Sequence, residues 1–310
     1  MTAESLTVGG TVRKRRGVRE VRKAVEGGIQ VVFLLCGTLA VGFVLLISIY
    51  LILSGLPAIR QIGLTDFLFG RVWDPTNVTT GAKFGILPFI LTSIYGTAGA
   101  VVLGVPVGLL TAVYLAKIAS PKVAVAIRTA VQLLAGIPSV VYGLVGMIVL
   151  VPAIQRTFSL SSGACLLAAM IVLAIMILPS IINVAENALR AVPKEYEEAS
   201  LALGATKLET YFKVTLPAAG SGVAAAIVLG VGRAIGEAMA IIMVSGNVSN
   251  MPSIFAPVRF LTTGIVSGMG YAQVGSLYHQ ALFSIGLVLF LFIMLINVLL
   301  NVLIKKKGDA

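Results

Sequence analysis

Long uncharged stretches constrain this chain more than any other feature. Thirty-three residues without Asp, Glu, Lys or Arg separate Glu26 from Arg60, and another 33 separate Lys83 from Lys117. The gap from Arg128 to Arg156 holds 27 such residues, that from Arg156 to Glu186 holds 29, and that from Arg259 to Lys305 holds 45. A helix needs roughly 20 apolar residues to cross a hydrocarbon core, so each stretch has room for one crossing. A further span follows Pro217. Only 11% of the 310 residues are charged and 58% are hydrophobic, whereas a soluble domain carries about 25% charged residues. The expected fold is an all-α integral membrane protein with six transmembrane helices, at about 29–53, 85–116, 130–153, 163–185, 218–245 and 277–304. Residues 1–28 form a basic N-terminal tail, 29–304 the six-span domain with a polar loop at 186–217, and 305–310 a short C-terminal tail.

Lys and Arg set the expected orientation. With the N-terminus inside, seventeen fall on the cytoplasmic side and five outside, namely Arg60, Arg71, Lys83, Arg156 and Arg259. This asymmetry places both termini in the cytoplasm of a bacterial or archaeal inner membrane. The basic run Arg13 to Lys23 reads as a topogenic anchor toward membrane lipid rather than a nucleic-acid site, because a span follows within a few residues. The first span is too long for the apolar core of a signal peptide and no A-x-A site follows it, so it is expected to stay attached.

Several chemistries find no support. Cys36 and Cys165 both fall in expected spans, and with a single histidine, His279, they cannot build a disulfide framework or a metal cluster. No Gly-Lys pair occurs, so there is no phosphate loop of the G-x-x-x-x-G-K-[ST] kind, and no cofactor is expected on this chain. A nucleophile elbow and a zinc-protease helix are missing too, which argues against an enzyme.

The loop from Glu186 to Pro217 carries helix signals. After Pro193, residues Tyr196, Ala199 and Leu203 fall on one face, and Gly204 supplies a stop. Thr206 and Glu209 have the spacing of a capping box that starts a second short helix ending at Pro217. The expected form is helix, glycine turn, helix, with a face able to lie on its own helix ends or to enter a partner's groove.

The stretch "EEASLALGATKLETYFKVTLP", Glu197 to Pro217, resembles the cytoplasmic motif of ABC-importer permeases, E-A-A, three residues, Gly, nine residues, then I-x-L-P. Glu198, Ala199 and Ser200 stand for E-A-A and Gly204 for the glycine, while Val214, Leu216 and Pro217 match the end. The resemblance implies a type I ABC importer permease fold and a coupling helix that docks on a cytoplasmic ATPase dimer, with ATP bound there. Tyr196, Glu198, Ala199, Ser200, Leu203 and Gly204 are the docking candidates. Over nearly the whole chain the sequence is similar to phosphate-specific permeases of the PstC type, on "LLAGIPSVVYGLVG" from Leu133 and "VLGVGRAIGEAMAIIMVSGN" from Val228. That likeness further implies a sister permease subunit and an extracytoplasmic phosphate-binding protein.

Arg233 and Glu237 stand in an otherwise apolar segment. At i and i+4 on a continuous helix they would share a face and neutralise each other, which would make a buried pair that fixes packing. Alternatively Arg233 offers its planar donor fork to phosphate in transit, with Glu237 holding the guanidinium when the path is empty. The family resemblance implies the second role. Pro138 is expected to break the third span beside Ser139 and Tyr142, which are further path candidates. Two other readings stay open: a permease for another oxyanion, sulfate or molybdate, and an ion-coupled secondary carrier that uses Glu237.

Overall fold

The computed structural model describes the backbone of residues 7–77, 79 and 81–308, and the side chains of 26–77, 79, 81–299 and 302. The side chains of the basic stretch 13–23 and of the tail 305–310 lie outside the described residues. The chain forms two units, residues 1–53 and 54–310.

The described part of the first unit is a single helix, the larger part of α1 (Thr7–Ile62). From residue 29 it is apolar on all faces, as suits a helix surrounded by lipid or other helices. Two of its hydroxyls fold back on the backbone: Thr38 donates to the Leu34 carbonyl at 2.8 Å and Ser48 to that of Val44 at 2.7 Å. Such back-bonding lets a polar side chain sit in an apolar segment without an orphaned donor.

In the second unit α1 is followed by α2 (Leu64–Phe69) and a two-residue antiparallel ribbon, β1 (Trp73–Asp74) with β2 (Lys83–Phe84). Then come α3 (Leu87–Val113), prolonged by a π-helical turn (Tyr114–Ile118), and α4 (Pro121–Gly136). Next, α5 (Ser139–Val145) runs through a second π-helical turn (Gly146–Leu150) into α6 (Val151–Thr157). After α7 (Leu166–Ala191) the loop region holds α8 (Lys194–Ala202), α9 (Lys207–Thr210), a third π-helical turn (Tyr211–Thr215) and α10 (Leu216–Ala218). The chain finishes with α11 (Gly220–Gly236), α12 (Met239–Val244), α13 (Leu261–Met269) and α14 (Leu277–Gly308).

Among the described residues, five helices are long and apolar enough to span a membrane: 26–62, 87–118, 139–157, 166–191 and 277–299. A sixth comes from α11, which is bent by 74° from the helical segment 207–218. Six spans agree with the sequence, but several boundaries move: the first runs on to Ile62, and the fifth is interrupted at Gly236. The third span does not begin near 130: α4 stops at Gly136, Ile137 turns extended ahead of Pro138, and the crossing starts at Ser139. A proline has no N–H to donate and pushes the residue before it out of the helical region. The fourth span continues through Glu186 and Arg190 to Ala191, so the loop proper starts at Val192. Pro217 does not end the second loop helix, because it sits in the first turn of α10, and the bend falls at Ala219.

The central helix is α7, packed against α3, α4, α11 and α12, with Leu166, Leu173, Met176, Ile177, Ile181 and Leu189 buried. Its seam with α3 is lined by glycines. A Cβ added at Gly104 would lie 2.9 Å from Ile177 Cδ1 and 3.0 Å from the Ala174 carbonyl oxygen; at Gly108 it would lie 2.8 Å from Ile181 Cγ2. Lipid tails are as apolar as leucine, so helices in a membrane associate through close backbone approach rather than through escape from water. The N-terminus of α7 has no side-chain cap. Its free amides bond to carbonyls of the 244–256 segment: Cys165 to Val244 at 3.1 Å, Leu166 to Ala256 at 3.2 Å and Leu167 to Ile254 at 2.9 Å.

At the ribbon end Trp73 packs its ring on Phe84, Phe89 and Tyr278, with centroids 5.5 to 6.2 Å apart. Arg259 closes the adjacent 247–259 loop by donating to the Asn247 carbonyl at 2.7 Å and to its side-chain oxygen at 3.0 Å. Burial pulls this guanidinium below its ordinary pKa.

Candidate functional site

The first candidate site involves two breaks in the chain, one where the third span begins and one between α11 and α12. The parallel run of α5 against α12 follows from its contacts, for a Cβ on Gly143 would meet Ala240 and Met243, and one on Gly146 would meet Val244. The break before α5, at Ile137 and Pro138, and the break before α12, at Glu237 and Ala238, therefore lie on the same side of that pair.

Arg233 lies in the last turn of α11, where a cation complements the helix dipole. The expected i, i+4 pairing with Glu237 does not form. Because α11 ends at Gly236, Glu237 is extended (φ −74°, ψ 133°) and no longer shares a helix face with Arg233. Its carboxylate accepts instead from the backbone N–H of Ala240 at 3.1 Å, an anion at the start of α12, while its carbonyl accepts from Thr262 Oγ1 at 2.7 Å. Among the described residues Arg233 has no hydrogen bond or ion pair, and it is exposed in the single chain. Tyr142 lies within its electrostatic reach. The tyrosine hydroxyl donates to the Leu134 carbonyl at 2.7 Å, which ties α5 back to α4 across the proline break. Ser139, half-buried, opens α5 one turn earlier on the same side, and no side chain caps that helix start.

The second candidate site is the 192–219 loop. The Thr206–Glu209 capping box is present in both directions: the Thr206 hydroxyl accepts from the Glu209 N–H at 3.3 Å, and the Glu209 carboxylate accepts from the Thr206 N–H at 3.1 Å. Gly204 makes the turn at φ +89°, a left-handed conformation that glycine alone adopts freely. Of the six expected docking residues, Tyr196, Glu198, Ala199, Leu203 and Gly204 are exposed, with Leu203 at 90%. The exception is Ser200, which turns inward to share a 2.9 Å hydrogen bond with Thr210 Oγ1, so it braces the hairpin.

Sequence reading missed the charged groups beneath that loop. Glu186, buried at the end of α7, takes both Arg128 of α4 (Nη2 2.7 Å) and Arg190 (Nε 2.9 Å) on one carboxylate oxygen. Arg190 also reaches the Leu115 carbonyl at 2.8 Å. Lys117, in the π-helical turn that ends the second span, pairs with Glu197 of α8 at 2.5 Å. The i, i+4 spacing of Glu186 and Arg190 was visible in the sequence, but the partners on other helices carried no such mark.

This architecture, several spans around a central helix with a helical hairpin protruding at one end, is that of type I ABC importer permeases. It resembles the MetNI methionine ABC transporter, solved in inward-facing conformations, with a TM-score of 0.54 and 22% identity over 72% of this chain and 94% of that one. Residues 104–307 match the family model described as binding-protein-dependent transport system inner membrane component, and the chain belongs to that family. It is 38% identical to the probable ABC transporter permease protein YqgH of Bacillus subtilis, over 93% of both chains. It is also 34% identical to the phosphate transport system permease protein PstC of Pasteurella multocida, over 78% of this chain and 81% of that one. The protein is thus a transporter permease subunit.

Proposed function

We propose that this chain is the PstC-type permease subunit of an ATP-driven importer for inorganic phosphate, with both termini in the cytoplasm. It forms the path together with a sister permease subunit, receives phosphate from an extracytoplasmic binding protein, and docks on a cytoplasmic ATPase dimer that binds the ATP. Relatives named as phosphate permeases support the cargo, and the excess of Lys and Arg on the loop side supports the orientation.

The observation that carries this reading is Arg233. A guanidinium with no carboxylate partner among the described residues, set at the break that ends α11 and within electrostatic reach of Tyr142, offers its donor fork to a tetrahedral oxyanion. Glu237, held by the Ala240 amide, shapes the break rather than clamping the arginine. Transport follows if ATP-driven closure of the partner dimer moves the exposed α8 face and biases the spans between outward and inward access.

The test is uptake of labelled phosphate by proteoliposomes that hold the complete importer, with sulfate and molybdate as competitors. Uptake that needs ATP and the binding protein and resists both competitors is the expected result. Arg233→Gln is expected to abolish uptake while the ATPase still co-purifies; wild-type uptake in that variant removes the arginine from the mechanism.

A further inference from the structure

The inward contacts of the loop converge on one short segment, the π-helical turn Tyr114–Ile118 at the end of the second span. A helix leaves its last carbonyls without backbone partners. Here the loop end supplies them: Arg190 Nη2 donates to the Leu115 carbonyl at 2.8 Å, and the Tyr211 hydroxyl donates to that of Lys117 at 3.3 Å. Lys117 Nζ meets Glu197 Oε1 at 2.5 Å, and the same oxygen accepts from Thr215 Oγ1 at 3.3 Å. One carboxylate on α8 thus ties together the second span and the far arm of the hairpin.

The two faces of α8 differ in kind. Outward it shows Tyr196 and Glu198, and Leu203 follows at its end. Inward, one helical turn apart, it turns Glu197 and Ser200. It buries no side chain fully, so polar ties rather than apolar packing hold its position. Lys117 and Glu197 are only 12% and 19% exposed, so water replaces either partner poorly, and a lone charge left there is penalised. A link of that kind is made or absent, with little in between.

We propose that the Lys117–Glu197 pair is a strut that passes the motion of α8 to the second span, so that Glu197 and Lys117 are positioning residues for coupling rather than part of the docking face. This rests on the reading that α8 meets an ATPase, and it names the side chains inside the permease that receive the motion.

The experiment measures phosphate uptake and ATP hydrolysis side by side in the reconstituted importer with its ATPase and binding protein. The variants are Glu197→Gln, Lys117→Gln and the double exchange of Lys117→Glu with Glu197→Lys. Each single variant is expected to keep its ATPase and to go on hydrolysing ATP, while phosphate moved per ATP falls about tenfold. The exchange is expected to recover most of the ratio, which loss of a merely structural contact does not explain. A wild-type ratio in the single variants overturns the strut. Loss of the ATPase on purification of Glu197→Gln also overturns it, since Glu197 would then face the partner. Failure of the wild-type complex to move phosphate points instead at the underlying functional reading. If the single variants do not accumulate in the membrane, Glu197→Asp keeps the charge and shortens the reach; an intermediate ratio supports the strut and an unchanged one overturns it.

Discussion

The seam between α3 and α7 and the knot beneath the 192–219 loop hold the same helices by different forces. Along the seam, glycines let two backbones close to within van der Waals contact, and no charged group among the described residues takes part. At the loop end the α3–α7 pair is held by Arg190 on the Leu115 carbonyl, and its neighbours by Glu186 on Arg128 and Lys117 on Glu197. The difference teaches where this molecule can move. Close packing has a steep, short-ranged potential and resists deformation in every direction. A few directional polar ties can be broken and remade as units, as a part that receives a mechanical signal must be.

The comparison can be broken first at the seam. Gly104→Leu drives a branched side chain into Ile177 and the Ala174 carbonyl, where even a Cβ is too close, so the cost is expected above the usual overpacking range, more than about 3 kcal/mol. A lower unfolding temperature in detergent and poor accumulation in the membrane are expected; an unchanged unfolding temperature means the seam is looser than its geometry. Next comes Glu186→Gln, which leaves two guanidinium groups around a neutral acceptor. Breaking a fully buried pair costs about 3–5 kcal/mol, but Arg128 and Arg190 are 35% and 45% exposed, so about 2 kcal/mol is expected in denaturant unfolding. A loss as large as that of Gly104→Leu would mean that charge matters to the frame as much as packing does. The smallest effect is expected from Lys213→Ala. Its 3.4 Å contact with Glu209 lies on the open side of the hairpin, so neither unfolding nor phosphate uptake should change. A measurable loss would extend the knot to the loop surface.

Parts of this arrangement were legible beforehand. The uncharged stretches located the spans because the hydrocarbon core admits few charges wherever the helix stands. Thr206 with Glu209 and the turn at Gly204 were legible because capping and left-handed backbone are local properties of a few consecutive residues. Pro138 was legible as a break for the same reason, though the consequence that α4 forms a separate helix was not. The Arg233 and Glu237 pair misled, because i, i+4 neighbours meet only if the helix continues, and the glycine in "RAIGEA" does not by itself announce a stop, since glycine is common inside membrane helices. Glu186 looked like the first residue of a loop because its charge is neutralised by Arg128, which sits on another helix.

By itself the sequence determined the six-span pattern, the helical hairpin and the residue types able to meet an oxyanion or a partner. These follow from hydropathy, capping and backbone sterics, all of which can be read along consecutive residues of the chain. Only the tertiary structure decided that Glu237 caps α12, that Ser200 and Glu197 turn inward, and that Lys117 receives the loop. Whether a charge is paired depends on which helices lie side by side, and that is settled by packing along seams such as that of Gly104 and Gly108 of α3 against α7, far from the charges themselves.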